Sequence, residues 1–369
     1  MNAQQRDLLI RLGKRLIDQE AARIIVPPLD RRPGFWFGGG NMVEDGDGTL
    51  YLVGRYRNAG DSTTGLAQGS RGLELAIFAS SDGGQSFRKR LSFSKQDLRC
   101  GDQQVISIEG SALNLTDSGV ELYVSTEKAD VEYPPGFESF RKPGTGVWTI
   151  DRIVAPDTDS LKGGAVRELV RGRDPQHLHC KDPVIHRGDD GGTILFFCTH
   201  PFSWSSSNSS YCVRAAGAAH FGEPSFGFFP RGNSWDVAVT RITDVLTLGE
   251  RLSDGDATVH LVFYDGAENL RALPENAHAV RRPRGYSCEE IGGLAFYPGN
   301  RVDATERLSL HLPLFTSPHG TGSSRYAHAL PTERGLFVTW QQAQPDGSQP
   351  LVLNVVPWQQ VEEILADWR

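Results

Sequence analysis

The sequence has no long apolar run. Of its 369 residues 38% are hydrophobic, yet no stretch approaches the roughly 20 apolar residues of a membrane-spanning helix, so no membrane partner is expected. It also lacks a basic excess. Thirty-eight Lys and Arg stand against 45 Asp and Glu, a net charge of −7, which is the wrong sign for a nucleic-acid partner. Cysteine is scarce, odd in number (five) and without a Cys-x-x-Cys pair, which argues against a disulfide frame or a zinc site and for reduced thiols. A secretory signal is missing too: the longest apolar run near the start, Leu8-Leu9-Ile10, is broken by Arg11, and acids are interspersed. A cytoplasmic protein is expected. Helical periodicity is absent from residue 23 to the last dozen residues, which excludes parallel βαβ architectures.

What is present is short β-rich runs separated by Gly, Asp, Ser and Pro. Residues 49–57, 74–81, 120–127, 146–155, 193–200, 259–268, 293–298, 335–342 and 350–357 all read as strands. Turn clusters such as Glu44-Asp45-Gly46-Asp47-Gly48 and Gly188-Asp189-Asp190-Gly191-Gly192 stand between them. A degenerate unit repeats: a strand beginning with a polar residue, a turn, then a strongly apolar strand. Its five copies begin at Asn41, Glu109, Lys181, Trp235 and Arg325, and their polar entry residues are Asn41, Glu109, Asp182, Asp236 and Arg325. Such repeats suit blades of about four antiparallel strands. The expected fold is all-β, a single five-bladed β-propeller domain over residues 1–369. Six blades result if Gly285–Pro318 forms its own. The last repeat is short of an outer strand, and residues 23–27 are expected to supply it, closing the ring. Leu8, Leu12 and Leu16 predict an N-terminal helix within 1–22; Trp358, Val361, Leu365 and Trp368 predict another over 358–369.

Ser80-Ser81-Asp82-Gly83-Gly84-Gln85-Ser86-Phe87 resembles the Asp-box of sialidases and related propellers, a turn that marks the fold and not the active site. Lys181-Asp182-Pro183-Val184 and Glu109-Gly110-Ser111 are similar to motifs of the five-bladed arabinanase, xylosidase and invertase glycosidases. Where that group carries a first-blade Asp, this chain has Gly39-Gly40-Asn41. The resemblance implies a propeller glycoside hydrolase, with no particular family assigned.

Inner-strand starts converge on a propeller's axis, so the five repeat residues should meet in one funnel. Glycosidic hydrolysis needs one protonated and one ionised carboxyl group. Glu109, Asp182, Asp236 and Glu290 are the candidate catalytic acids. Asn41, Arg55, Arg57, His200, Trp204, Tyr286 and Arg325 are the candidate substrate-binding residues. The arginines provide counter-charge and favour an anionic sugar; Trp204 offers an aromatic face for a sugar ring. Tyr286 beside Glu289 and Glu290 resembles the Tyr–Glu pair of sialidases, although the sialidase Phe/Tyr-Arg-Ile-Pro signature is absent. His177, His179, His186 and His200 fix no third ligand by spacing, so no metal and no cofactor are expected. Three functions follow: a glycoside hydrolase acting on a small sugar or chain end, a glycuronide or polysaccharide lyase or sialidase-type enzyme, or a non-catalytic carbohydrate-binding propeller. Fold alone does not choose among them.

Overall fold

A computed structural model describes residues 1–57, 72–254, 257–268 and 290–368. Helix α1 (Ala3–Leu16) comes first and ends six residues before the boundary expected at residue 22. Strand β1 (Arg23–Val26) follows. Blade 1 comprises β2 (Trp36–Gly38), β3 (Met42–Glu44), β4 (Leu50–Arg57), β5 (Glu74–Ser80) and β6 (Arg88–Ser94). Blade 2 comprises β7 (Val105–Thr116), β8 (Gly119–Lys128), β9 (Val147–Ala155) and β10 (Arg167–Arg171). In blade 3 are β11 (His179–Arg187), β12 (Thr193–His200), β13 (Asn208–Arg214) and β14 (Ser225–Phe229). Blade 4 holds β15 (Val239–Thr247), β16 (Ser253–Asp254), β17 (Ala257–Ala267), β18 (Ile291–Pro298) and β19 (Glu306–Arg307). Blade 5 is β20 (Ser324–Thr332), β21 (Gly335–Gln342) and β22 (Leu351–Val356), completed by β1. Helix α2 (Trp358–Leu365) comes last and is shorter than the 358–369 expected, the described chain running on to Trp368.

There are therefore five blades, and the stretch expected as a possible sixth supplies the outer strands of blade 4. Strand β1 pairs antiparallel with β22, Arg23 opposite Leu353, so the beginning of the chain closes the ring. The closure leaves β22 with partners on both sides.

The apolar side chains pack between neighbouring blades. Ile77 and Leu122 meet between blades 1 and 2, Leu195 and Tyr123 between blades 2 and 3, Phe196 and Val262 between blades 3 and 4, and Phe37 and Leu353 between blades 5 and 1. Middle strands are covered on both faces, which is why β12 is buried along nearly its whole length and carries an apolar run from Ile194 to Cys198. The largest cluster lies between blades 4 and 5, where Leu261 and Trp340 are joined by Leu8, Leu9, Leu12 and Leu16 of α1 and by Val361 and Leu365 of α2. The helix approaches β18 closely because Gly13 lacks a side chain: a Cβ there would stand 2.2 Å from Leu294 Cδ1.

Every inner strand is interrupted at the same level. Pairing register slips between Ile108 and Ser111, Lys181 and Val184, Ile242 and Asp244, and Arg325 and His328. In blade 1 the inner strand is split, β2 and β3 both pairing with β4 on either side of Gly39-Gly40-Asn41. Bulges re-aim side chains. Here they turn residues of each blade toward the axis, and at two of them Asp182 and Tyr326 adopt φ of 55° and 54°, a left-handed conformation that is uncommon without glycine.

Candidate active site

The bulges bring a dense ionic cluster together. Glu109 leaves β7 and receives Arg55 of β4 through two nitrogens, Nε at 2.9 Å and Nη2 at 2.7 Å. Arg57, one pleat further along β4, bonds the other oxygen of Glu109. Asp182 is placed by a short relay: its own N–H donates to Ser125 Oγ (2.7 Å), and that hydroxyl donates to the Gly110 carbonyl (3.1 Å). The Asp182 carboxylate accepts from Gly110 N–H (3.1 Å) and from Arg241 Nη1 (3.1 Å).

Arg241 is the hub. Its Nη2 donates to Asp265 Oδ2 at 2.6 Å, and its Nη1 reaches Glu290 Oε1 at 3.4 Å as well as Asp182. Glu290, immediately ahead of β18, is also held by Arg325 of β20. The Tyr326 hydroxyl stands 3.4 Å from Arg55 Nη2 and 3.4 Å from Asp182 Oδ1, linking the Glu109 and Asp182 halves. Trp36 of β2 faces three of the guanidiniums: Arg325, Arg57 and Arg55 lie 4.4, 5.1 and 5.9 Å from its ring centre.

Charge decides the protonation states. Burial pushes the Glu109 carboxyl up, but the fields of Arg55, Lys181 and Arg57 outweigh it and hold Glu109 well below the usual carboxylate range. Asp182 is likewise lowered, burial being outweighed by Arg241 and Lys181. In Glu290 burial is overcome by Arg325 and Arg241, and the group is held at about 2. Asp265 goes the other way: burial dominates despite Arg241, and it rises to about 6. The phenol of Tyr326 is raised well above its usual value, chiefly by burial.

A second, aromatic wall adjoins the ionic cluster. Trp204, with φ of 55°, stacks on His179 at 4.1 Å between ring centres and lies 4.7 Å from His200. His200 Nδ1 sits 3.0 Å from the Ser206 carbonyl. Burial, reinforced by Lys181, lowers His200 to about 3, so it is neutral at ordinary pH; His179 is lowered well below its usual value for the same first reason. Lys181 Nζ hangs over Trp148 (4.6 Å) and Trp204 (5.9 Å).

The structure thus groups Glu109, Asp182, Glu290, Arg55, Arg57 and Arg325, with His200 and Trp204 alongside. Asp236 does not join them. It is fully buried against the side of blade 4, where its carboxylate accepts from Arg307 Nε (2.8 Å) and Tyr264 OH (3.3 Å). The reason is register: β15 begins at Val239, three residues after Asp236, and the charge that its bulge turns inward is Arg241. Asn41 borders the narrow axial cavity behind the cluster, along with Asp182, Arg241 and Tyr326. Its amide, however, is used in bridging to the Leu113 backbone, accepting from N–H (2.8 Å) and donating to the carbonyl (2.9 Å). Tyr286 lies outside the described residues. Sequence reasoning passed over Arg241, Tyr326, Lys181 and Trp36 as site residues. Arg241 and Tyr326 each stand third in an inner strand, which an alignment of inner strands would have revealed. Among the described residues no three His, Cys, Asp or Glu side chains form a group able to hold a metal ion.

No protein-family model matches the chain, and no curated protein matches it in sequence. Solved structures do. One described as a glycoside hydrolase is 11% identical, covering 96% of this chain and 95% of that one with a TM-score of 0.58. The α-L-arabinofuranosidase from Lactobacillus brevis is 10% identical over 90% of this chain and 92% of its own, with a TM-score of 0.53. The endo-arabinase from Bacteroides thetaiotaomicron is 12% identical over 90% and 97%, with a TM-score of 0.51. At these identities the likeness is one of fold: the chain shares the whole propeller with these enzymes.

Proposed function

We propose that this protein is a glycoside hydrolase acting on a small sugar, or the end of a sugar chain, bound at the axial ionic cluster. One observation carries the reading. Glu109, Asp182 and Glu290 come from blades 2, 3 and 4 into one connected group, and a single nitrogen of Arg241 touches both Asp182 and Glu290. Hydrolysis through an oxocarbenium-like transition state requires that kind of pairing, one carboxyl donating a proton and another staying ionised. The shared fold with glycosidases supports the reading but does not supply the chemistry.

The roles follow from exposure and charge. Asp182, 3% exposed, bound by Arg241 and held low, is the ionised partner. Glu290, at 19%, is the most accessible of the three carboxylates and is the proton donor. Arg325 and Arg241 keep it ionised in the free protein. Sugar hydroxyls that accept from those guanidiniums weaken the hold and leave burial to raise the group. Glu109 fixes Arg55 and Arg57 beside Trp36. The Asp82 turn between β5 and β6, in which Asp82 accepts from Ser86 N–H (2.9 Å) and Ser80 Oγ (2.7 Å), supports the likeness to Asp-box propellers.

The test is turnover of a panel of neutral and acidic aryl glycosides, read as reducing sugar released. Glu290→Gln and Asp182→Asn should each lose at least about 100-fold, the scale of general acid–base assistance. Full activity in both would end the carboxylate mechanism. A second reading, elimination from a uronate, is favoured by Tyr326 OH lying between Arg55 and Asp182. It predicts ultraviolet absorbance of an unsaturated product in place of a new reducing end with a saturated sugar. Binding without either product would leave a sugar-binding propeller.

A further inference from the structure

The cations of the site are not equivalent. Arg55 and Arg57 are tied to Glu109, Arg241 to Asp182, Asp265 and Glu290, and Arg325 to Glu290. Their donors are largely committed, and moving any of them to a ligand uncovers a buried carboxylate. Lys181 is different. Its ammonium is close enough to be felt by Glu109, Asp182 and His200, yet its contacts are the indole faces of Trp148 and Trp204, and among the described residues no carboxylate or carbonyl oxygen lies in bonding range. An ammonium has three donors. Here the described residues use none of them, and Lys181 is only partly buried.

We infer that Lys181 is the specificity-determining residue of this site, and that it receives the anionic substituent of an acidic sugar whose ring lies on Trp204. The inference rests on the sugar-site reading above and names the substrate class for it.

Three features converge on that assignment. The indoles hold the ammonium by its cationic charge while leaving its hydrogens to a ligand. Trp204 is kept in a left-handed backbone conformation, stacked on the neutral His179 ring and tilted against the neutral His200 ring, so its indole is fixed beside the charge. Both imidazoles are neutral, so Lys181 is the positive charge of this wall, and the ligand's anion meets it without competition from a paired carboxylate. The arginines, by contrast, orient the acids.

The experiment compares binding of glucuronate and galacturonate with that of glucose and galactose to the full chain, by calorimetry at low salt. A charge-assisted bond is worth enough that the wild type should prefer each acid by at least about tenfold. Lys181→Met keeps the chain length over the indoles and removes the charge; the acid-to-neutral ratio should fall to about one. Trp204→Ala should weaken acid and neutral sugars together and preserve the ratio. Melting curves verify that both variants are folded. A ratio unchanged in Lys181→Met, or no acid binding by the wild type, overturns the inference. Acid preference lost in Lys181→Met without turnover of any glycoside would uphold it while refuting hydrolysis. Hydrolysis with no acid preference would do the reverse.

Discussion

Arg241 lies 3.9 Å from the centre of the Tyr326 ring, the closest of the cation–aromatic contacts in the site. The contact joins the inner strands of the neighbouring blades 4 and 5. Because the same guanidinium neutralises Asp182, Asp265 and Glu290, it supports the whole cluster.

Removing it should therefore be severe. Arg241→Met leaves buried carboxylates unpaired and should cost about 3–5 kcal/mol. Tyr326→Phe removes only a hydroxyl whose contacts are 3.4 Å long, and about 1 kcal/mol or less is expected. Urea unfolding of the two variants measures both. Equal, small losses would show that Arg241 is not the hub.

Acid should weaken the fold through Glu290. Its carboxyl is held at about 2 in the folded protein against 4.5 ordinarily, so its contribution is fully present above pH 4.5 and is lost as pH falls through 2. The stability gap between wild type and Glu290→Gln should be on the order of 2–3 kcal/mol near neutrality and shrink below pH 4.5. Denaturant titrations at several pH values decide; a gap that does not change with pH contradicts the ion pairing.

Asp236 separates stability from function. Asp236→Asn keeps the shape but removes the charge that Arg307 and Tyr264 meet, and should cost roughly 1–3 kcal/mol. Turnover at a temperature where the variant is folded should stay within about twofold of wild type, since only general acid–base groups carry the larger factors. A loss of about 100-fold would return Asp236 to the catalytic set.

Helix α1 should behave as part of the core. Leu12 is fully buried between blades 4 and 5, and Leu12→Ala should cost about 2–5 kcal/mol. Deleting residues 1–27 also strips β1 from β22 and should lower the melting temperature of the entire molecule in one cooperative step. An unaltered transition in the truncated chain would mean that the closure carries no stability.

Much of this architecture was legible because middle strands such as β12 and β21 are buried along their lengths and carry apolar runs. Outer strands gave little signal: β6 has three exposed basic or neighbouring polar positions at its start and reads as a loop. Inner strands were the hardest, since they face the axis and mix polar with apolar residues. In β15, Thr240, Arg241, Thr243 and Asp244 interrupt the apolar pattern, and the nearest polar residue ahead of the strand is Asp236. Glu109, Asp182 and Arg325 were found because each opens a repeat in which strand, turn and second strand follow closely. Arg241 escaped because its importance comes from partners on other blades, and pairings between residues far apart in the chain leave no local trace.

The closure of blade 5 also sets an order of events during synthesis. Arg23 is made early, but its partner Leu353 emerges roughly 330 residues later, tens of seconds at ordinary ribosomal rates. Over that interval the four leucines of α1 have no blade 4 or 5 to cover, and β1 has no neighbour to pair with. Strand β1 is consequently seated only after blade 5 has been made, and high sequence separation makes that docking slow. Nascent chains should expose the apolar face of α1 until blades 4 and 5 have been made.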